Sequence, residues 1–385
     1  MTWISIISVA MTVLGAIYVR QIVLFMMGLA RLKRGTNTTM HSVVVLVAAR
    51  NEEQNIEKCI AALDDQNYPR DKFTIIVIDD HSTDRTAEIV EQCANRFSKV
   101  KLLRTRDRQA NVSPKINALD YAIAHTSSEL IFTTDADCIV GPNWISSMVR
   151  YFEETVGVVS GITLFSETSG APPLVAGFQS LDFFSQTACG AGAIGMNAVN
   201  NCNGSNMGFR RSVFTQVGGY TAISHVNSGS DSLLAQRILS MTNWKMKFAF
   251  EPDTHVLTSP LPSWHQVLEQ RMRWAGQTPN YPPSTLVFLI ASFLLYASLF
   301  LSIPLSILYW PIFPLPLLTL MIKLAVDFRI ISLFARLTGV RGMMRFFFPS
   351  ELLHIPVVLI AVCGSFLGTF EWKGRTLRRE MSLQK

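Results

Sequence analysis

Apolar positions crowd the two ends of this chain and thin out between them. Trp3 to Val19 is almost wholly apolar, and past Arg20-Gln21 the apolar run resumes through Ala30. Near the other end, Thr285 to Tyr309 carries no charge and is long enough to span a bilayer as a helix. Two more apolar stretches follow, Pro314 to Ala335 and His354 to Phe370. The first contains Lys323 and Asp327, which share a face of a helix and can pair there. They read either as a pair packed between helices or as the polar lining of a substrate path.

Between Ser42 and Gln277 the pattern changes to short apolar runs alternating with amphipathic ones. His41 to Ala49 is β-branched and continuous, as a buried parallel strand requires. Arg50 to Asn55 opens a helix ending near Leu63, and Phe73 to Ile78 is a second strand. Asp79-Asp80-His81-Ser82-Thr83-Asp84 stops that strand, and Ser82 or Asp84 caps a helix from Arg85 to Asn95. Lys101 to Leu103 is a short strand, Lys115 to His125 a helix, and Leu130 to Thr133 a strand that runs into Asp135-Ala136-Asp137. This alternation predicts an α/β fold with a doubly wound, mostly parallel sheet, whose ligands bind beyond the carboxyl ends of the strands. The expected organisation is an N-terminal anchor helix and basic flank over 1–35, an α/β domain over 36–283, and a C-terminal membrane region over 284–385.

Composition supports that division. Of the 385 residues, 49% are hydrophobic and 16% charged, and the net charge is +6. The cations follow the apolar segments: Arg31, Lys33 and Arg34; Arg336, Arg341 and Arg345; Lys373, Arg375, Arg378 and Arg379. Anionic headgroups and the positive-inside rule select that placement, which argues against nucleic acid as the partner. No cation precedes the first apolar run, so it reads as a signal anchor of a multi-pass cell-membrane protein with its α/β domain cytoplasmic. Three crossings after that domain would put Arg375, Arg378 and Arg379 outside. His354–Phe370, with Pro349 and Pro356 near its start, is therefore expected to be re-entrant or interfacial. The six cysteines show no C-x-x-C spacing, which fits reduced thiols facing the cytosol.

Three groups of residues carry candidate chemistry. Asp135 and Asp137 place two carboxylates at a strand end, where they read as ligands of a hard divalent cation or as a solvated turn. Asp231 lies in Asn227-Ser228-Gly229-Ser230-Asp231-Ser232-Leu233-Leu234 at the start of a helix. It is either an N-cap, which stabilises by about 1 kcal/mol, or a general base. Gln270-Arg271-Met272-Arg273-Trp274 forms a Q-x-x-R-W pentapeptide shortly before an apolar run. Arg273 can neutralise a leaving diphosphate, and the Arg-Trp pair can also serve as an interfacial anchor.

Taken in order, Val47-Ala48-Ala49-Arg50-Asn51-Glu52-Glu53, Asp79-Asp80-His81-Ser82, Asp135-Ala136-Asp137, Ser230-Asp231 and Gln270-x-x-Arg273-Trp274 resemble a family 2 glycosyltransferase of GT-A fold and membrane-embedded type. Smaller matches are Leu63-x-x-Gln66-Asn67-Tyr68-Pro69, Gly204 to Arg211 with Val217 to Tyr220, and Trp372-Lys373-Gly374-Arg375. The resemblance implies that Ala49, Glu52 and Asp79 or Asp80 line the nucleobase and ribose pocket. It implies that Asp135 lies on the ribose or metal side, that Asp137 ligates Mg²⁺ or Mn²⁺, and that Asp231 is the base. Gln270, Arg273 and Trp274 would hold the diphosphate and shape the acceptor end. Two departures stand out: Ser230 replaces the acid usual before the base, and Pro114-Lys115 replaces Gly-Lys, where a donor contact from Lys115 is at issue.

The implied reaction is an inverting transfer of one sugar from a nucleotide-sugar, with UDP the expected nucleotide, to a membrane lipid. A processive polysaccharide synthase is the alternative, and a noncatalytic scaffold or transporter the remote one. Phe183-Phe184, the glycine-rich Cys189 to Ala193 and the adjoining loop are expected where an apolar acceptor enters.

Overall fold

The computed structural model describes residues 3–105, 113–166, 170–223, 229–276, 281–310, 313–366, 369–372 and 375–378. Its first half follows the predicted alternation: β1 (Val43–Ala49), α2 (Ile56–Asp64), β2 (Phe73–Asp79), α3 (Thr86–Arg96), β3 (Val100–Arg104), α4 (Pro114–Ala124) and β4 (Leu130–Asp135). Arg50 to Asn55 forms a loop before α2 instead of its first turn. Asp84 organises the start of α3, accepting from Thr86 N at 3.0 Å and Thr86 Oγ1 at 2.6 Å. Burial pushes this carboxyl up, but those bonds and one from Glu53 N hold it below its ordinary range. Ser82 instead accepts from Asn51 N at 3.1 Å.

The chain continues through β5 (Ile139–Val140), α5 (Trp144–Val149), β6 (Val156–Gly161), β7 (Thr163–Phe165), α6 (Pro173–Gly195), β8 (Met207–Arg210), α7 (Arg211–Gln216), α8 (Ser230–Met241), β9 (Lys245–Ala249), β10 (Val256–Thr258) and α9 (Trp264–Ala275). The main sheet has the order β3-β2-β1-β4-β8-β6-β9. Its first four strands are parallel, β8 is antiparallel to both neighbours, and β6 and β9 are parallel. Val43, Val45 and Val47 pack under α2, α3 and α5 on one face. Val44 and Leu46 share the opposite core with α4, α8 and the long terminal helices. The sheet is thus doubly wound and mostly parallel. A smaller sheet, β5-β10-β7, stands beside it.

The apolar ends form α1 (Trp3–Leu29), α10 (Pro283–Leu308), α11 (Pro314–Thr338) and α12 (Phe347–Ser365), followed by the hairpin β11 (Thr369–Trp372) and β12 (Arg375–Arg378). Lys373, Gly374 and Arg379 of the basic tail lie outside the described residues, as do Asn227 and Ser228. Among the described residues, three segments are long and apolar enough to cross a membrane: Ile7–Leu29, Pro283–Ser306 and Gly342–Ser365. Within the stretch expected to be re-entrant or interfacial, the helix runs through its proline without a break. Pro356 sits inside a continuous α12, whose turns before the proline are held by Glu351, which pairs with Lys323, and by His354, which pairs with Asp182. The charged helix α11 falls outside that set. Its Lys323 is buried and bonds Asp327 Oδ2 at 2.8 Å, and Tyr18 donates to Asp327 Oδ1 at 2.7 Å. Lys323 and Asp327 are therefore packed between helices.

Close helix approach ties the anchor to the α/β domain. A Cβ added at Gly28 of α1 would lie 1.8 Å from Gly192 O of α6, and one at Gly195 would lie 2.0 Å from Gly28 O. Small residues at such crossings let backbones touch. Within the glycine-rich stretch of α6, Gly192 therefore seats α1, while a Cβ on Gly190 would lie 2.9 Å from Asn201 O. Phe184, likewise, packs on Phe334 at 4.7 Å between ring centroids and is buried.

Candidate functional site

Parallel register brings the strand ends to one edge: Ala49 is level with Asp79, and Ala48 with Asp135. At this edge two loops lock together. Asp80 N donates to Ala49 O at 2.9 Å, and Arg50 Nη1 donates to the carbonyls of Asp80 and His81. Glu52 is buried; its N–H donates to Thr86 Oγ1 at 2.7 Å and its carboxylate accepts from Asn55 Nδ2 at 2.9 Å. Asp79 Oδ1 accepts from Ser82 N at 3.2 Å. Asn51 and His81 adopt left-handed φ of 52° and 57°, a conformation both residue types tolerate and that functional loops often hold. The residues expected to line a nucleobase pocket, Ala49, Glu52, Asp79 and Asp80, are therefore assembled in one place.

The next strand end carries most of the charge. Lys115, from the first turn of α4, bonds Asp135 Oδ1 at 2.6 Å. Burial pushes its ammonium pKa down, but Asp135 and then Asp231 outweigh that and raise it. Asp137 Oδ2 accepts from Thr258 Oγ1 of β10 at 3.2 Å. Ligand atoms of Asp135, Asp137 and Cys138 all lie within 4.8 Å of one another. Two carboxylates gathered there supply the oxygen donors that Mg²⁺ or Mn²⁺ favours. Burial pushes the Cys138 thiol up, so it stays neutral beside them.

Asp231 enters from α8. The helix is capped by Gly229 in a left-handed conformation, φ 75°, and Asp231 stands in its first turn. Its Oδ1 is buried without a hydrogen-bond partner among the described residues, so a capping role does not account for it. Burial raises its carboxyl pKa, Lys115 opposes this, and Asp135 adds to it. Gly204 makes room here, since a Cβ on it would lie 2.1 Å from Asp231 Oδ2.

Helix α9 closes the other side. Burial lowers the Arg273 pKa while Asp135 raises it, which places the guanidinium in the field of the same carboxylate. Trp274 lies 5.8 Å from Phe183 between ring centroids and under Arg271 at 4.3 Å. Gln270 accepts from Arg271 Nη1. Sequence reasoning overlooked what holds this helix. Arg271 Nε donates to Asp182 Oδ2 of α6 at 2.7 Å, and His354 Nδ1 of α12 stands 3.2 Å from Asp182 Oδ1. Burial pushes the Asp182 carboxyl up, but the Arg271 guanidinium and His354 hold it well below the usual range. The available signal was a lone acid in the otherwise uncharged segment 173–195.

Comparisons with known proteins bear on the fold that carries this site. Residues 44–218 match the family model Glycosyl transferase family 2. The chain is 30% identical over 239 residues to a β-monoglucosyldiacylglycerol synthase of Nostoc sp., covering 60% of this chain and 48% of that protein. It is 27% identical over 244 residues to the probable glycosyltransferase YdaM of Bacillus subtilis, covering 60% and 54%. It therefore spans about half the length of these curated relatives. A solved mannosyltransferase of Pyrobaculum calidifontis, in complex with GDP-Man and Mn²⁺, superposes with a TM-score of 0.59 at 20% identity, over 94% of this chain and 99% of that one. That likeness establishes the shared GT-A fold. Residues 44–218 thus carry the match to glycosyltransferase family 2 to which the ordered motifs point.

Proposed function

We propose that the protein is a membrane-bound, inverting glycosyltransferase that moves a single sugar from a nucleotide-sugar, a UDP-sugar by expectation, to a lipid acceptor at the cytoplasmic leaflet. The observation that carries this reading is the meeting of Asp135, Lys115, Asp231 and Arg273 in one electrostatic neighbourhood at the strand ends. The nucleoside would lie over Ala49, Glu52, Asp79 and Asp80. Asp231, its pKa raised, would take the proton of the acceptor hydroxyl as that oxygen bonds to sugar C1. The bond from C1 to the diphosphate breaks on the opposite face, which inverts the anomeric centre. Arg273 and Lys115 would hold the charge that develops on the departing diphosphate. Mg²⁺ or Mn²⁺ held by Asp137 and Asp135 would neutralise that diphosphate when bound.

The glucosyldiacylglycerol synthase relatives support a lipid acceptor, as do the spans packed against α6 and α9. Incubation of the full-length protein in bilayers with radiolabelled UDP-sugars tests the reading. Label in an organic-extractable glycolipid is expected. Label in a high-molecular-weight polymer would instead identify a processive synthase.

A further inference from the structure

Length and hydropathy alone would let α12 cross a membrane, but its contacts keep it against the catalytic domain from end to end. The chain arrives at α12 on the domain side, because the last turns of α11 pack Phe334 against Phe184 of α6 and Phe248 of β9. Just before α12 begins, the Phe346 ring fills the space that a Cβ on Gly177 of α6 would need. Further along, His354 stands 3.2 Å from Asp182 of α6. Leu353 and Val357 then share an apolar cluster with Phe178 of α6 and with Trp264, Val267 and Leu268 of α9. At the far end Gly364 abuts Met272 of α9, where a Cβ would collide with the thioether sulfur.

Helix α12 thus runs beside α9 in the same direction, and both of its ends touch the domain. Its 19 residues are about 28 Å long, so a crossing would carry one end across a hydrocarbon core of about 30 Å. Helix α9 cannot follow it there, since Arg273 lies in the field of Asp135 at the strand ends. The hairpin of α10 and α11 behaves differently. From Phe288, which meets Phe25, α10 runs out to Leu301 and Leu308, both exposed.

The two faces of α12 differ as an interfacial helix requires. Ser350, Glu351, Val357, Ala361 and Gly364 are buried on the side toward the domain. Phe348, Leu352, Ile360, Cys363 and Phe366 are exposed on the opposite side. Glu351 and His354 pair inward, so the outer face carries no charge. Exposed Arg341 and Arg345 precede the helix, and β12, with Arg375 and Arg378 in its sequence, follows it. A crossing α12 would put these two basic segments on opposite sides of the membrane, against the positive-inside rule. A flat one keeps both on the same side, where anionic headgroups attract them.

We infer that α12 lies flat in the membrane interface, neither crossing nor re-entering, with Phe348, Leu352, Ile360 and Phe366 inserted among the acyl chains of the leaflet beside the domain. Its inner face is the floor under α9, so the helix bearing Gln270, Arg273 and Trp274 is held at headgroup depth. This placement stands apart from the chemistry of transfer. Only the naming of that leaflet as cytoplasmic rests on the proposed function.

Nitroxide depth measurement tests it, by power-saturation EPR with oxygen and a nickel chelate as relaxants. The sample is the full-length protein in nanodiscs of phosphatidylcholine and phosphatidylglycerol. Labels go on native Cys363 and, with Cys363→Ala, on Phe348→Cys, Leu352→Cys and Ile360→Cys, exposed positions whose replacement spares the packed face. Leu294→Cys, Leu301→Cys and Leu305→Cys on α10, also exposed, calibrate a crossing helix. The α10 labels should step through the bilayer by about 1.5 Å per residue. The α12 labels should share one shallow depth, about 5–10 Å into the boundary between headgroups and acyl chains. A depth difference of about 18 Å between the Phe348→Cys and Ile360→Cys labels, the rise of a crossing helix, would overturn the inference. Full exposure of all four α12 labels to the aqueous nickel chelate would overturn it too. Depth is read without turnover, so a flat α12 in a protein that transfers no sugar would remove the transfer reading alone.

Discussion

Asp182 is the residue whose replacement separates a held α9 from a merely adjacent one. It is 6% exposed, as is Arg271, and their N–O distance is 2.7 Å. Asp182→Ala strands a buried guanidinium, and breaking such a pair by removing one partner costs about 3–5 kcal/mol. At about 2–4 °C per kcal/mol, the melting temperature should fall by roughly 6–20 °C. Catalysis should suffer too, because Arg273 follows Arg271 on the same helix and a misplacement of about 1 Å costs about 100-fold in rate. The expected signature is a kcat drop of that order with donor KM little changed. Asp182→Asn, which still accepts from Arg271 Nε but lacks the charge, should fall between wild type and Asp182→Ala in both readouts. Thermal unfolding in micelles and initial-rate kinetics measure the two effects. If Asp182→Ala melts with wild type and turns over at its rate, the Asp182 link does not position α9.

Other outcomes follow from the same geometry. Because the Asp231 carboxyl is raised, its protonated form persists to higher pH than an ordinary carboxylate, so the acid limb of kcat/KM should lie above the usual carboxylate range. The linked stability has the matching sign: it is complete below the unfolded pKa and lost as pH rises through the folded one. Asp231→Asn should therefore melt no lower than wild type at neutral pH while losing about 10²–10⁴ of the rate. Lys115→Met removes the cation that lowers the Asp231 pKa, and should move the acid limb of the residual activity to still higher pH. Gly28→Leu should cost at least about 1–3 kcal/mol through overpacking against Gly192. Gly15→Ala, whose Cβ would meet Thr319 Cγ2 at an ordinary 3.7 Å, should fold with wild-type yield in a detergent-extraction assay.

The parts of the fold legible in the sequence were those set by local pattern. β1 and β2 read correctly because uninterrupted β-branched runs suit strands buried on both faces. The acidic clusters read correctly as one edge because parallel register forces strand ends together. Long-range partners were not legible. Nothing local says that Asp182 meets Arg271, residues 89 apart, or that Gly192 exists to seat α1. The continuity of α12 through Pro356 was not legible for the same reason. Proline weakens a helix locally, whereas the ion pairs of Glu351 and His354 that hold α12 come from distant elements. Asp231 was ambiguous in sequence between cap and base, and the backbone, with Gly229 as the cap, removes the first of these readings.

The central claim is that Asp231, the Asp135–Asp137 pair and Arg273 form one metal-assisted sugar-transfer centre. Transfer of labelled sugar to lipid by wild type, Asp231→Asn and Asp137→Asn, each measured with Mn²⁺ and after chelation by EDTA, tests it most directly. Wild-type turnover should be abolished by EDTA and restored by Mn²⁺, with both variants folded and inactive. Turnover by folded Asp231→Asn at the wild-type rate would contradict it.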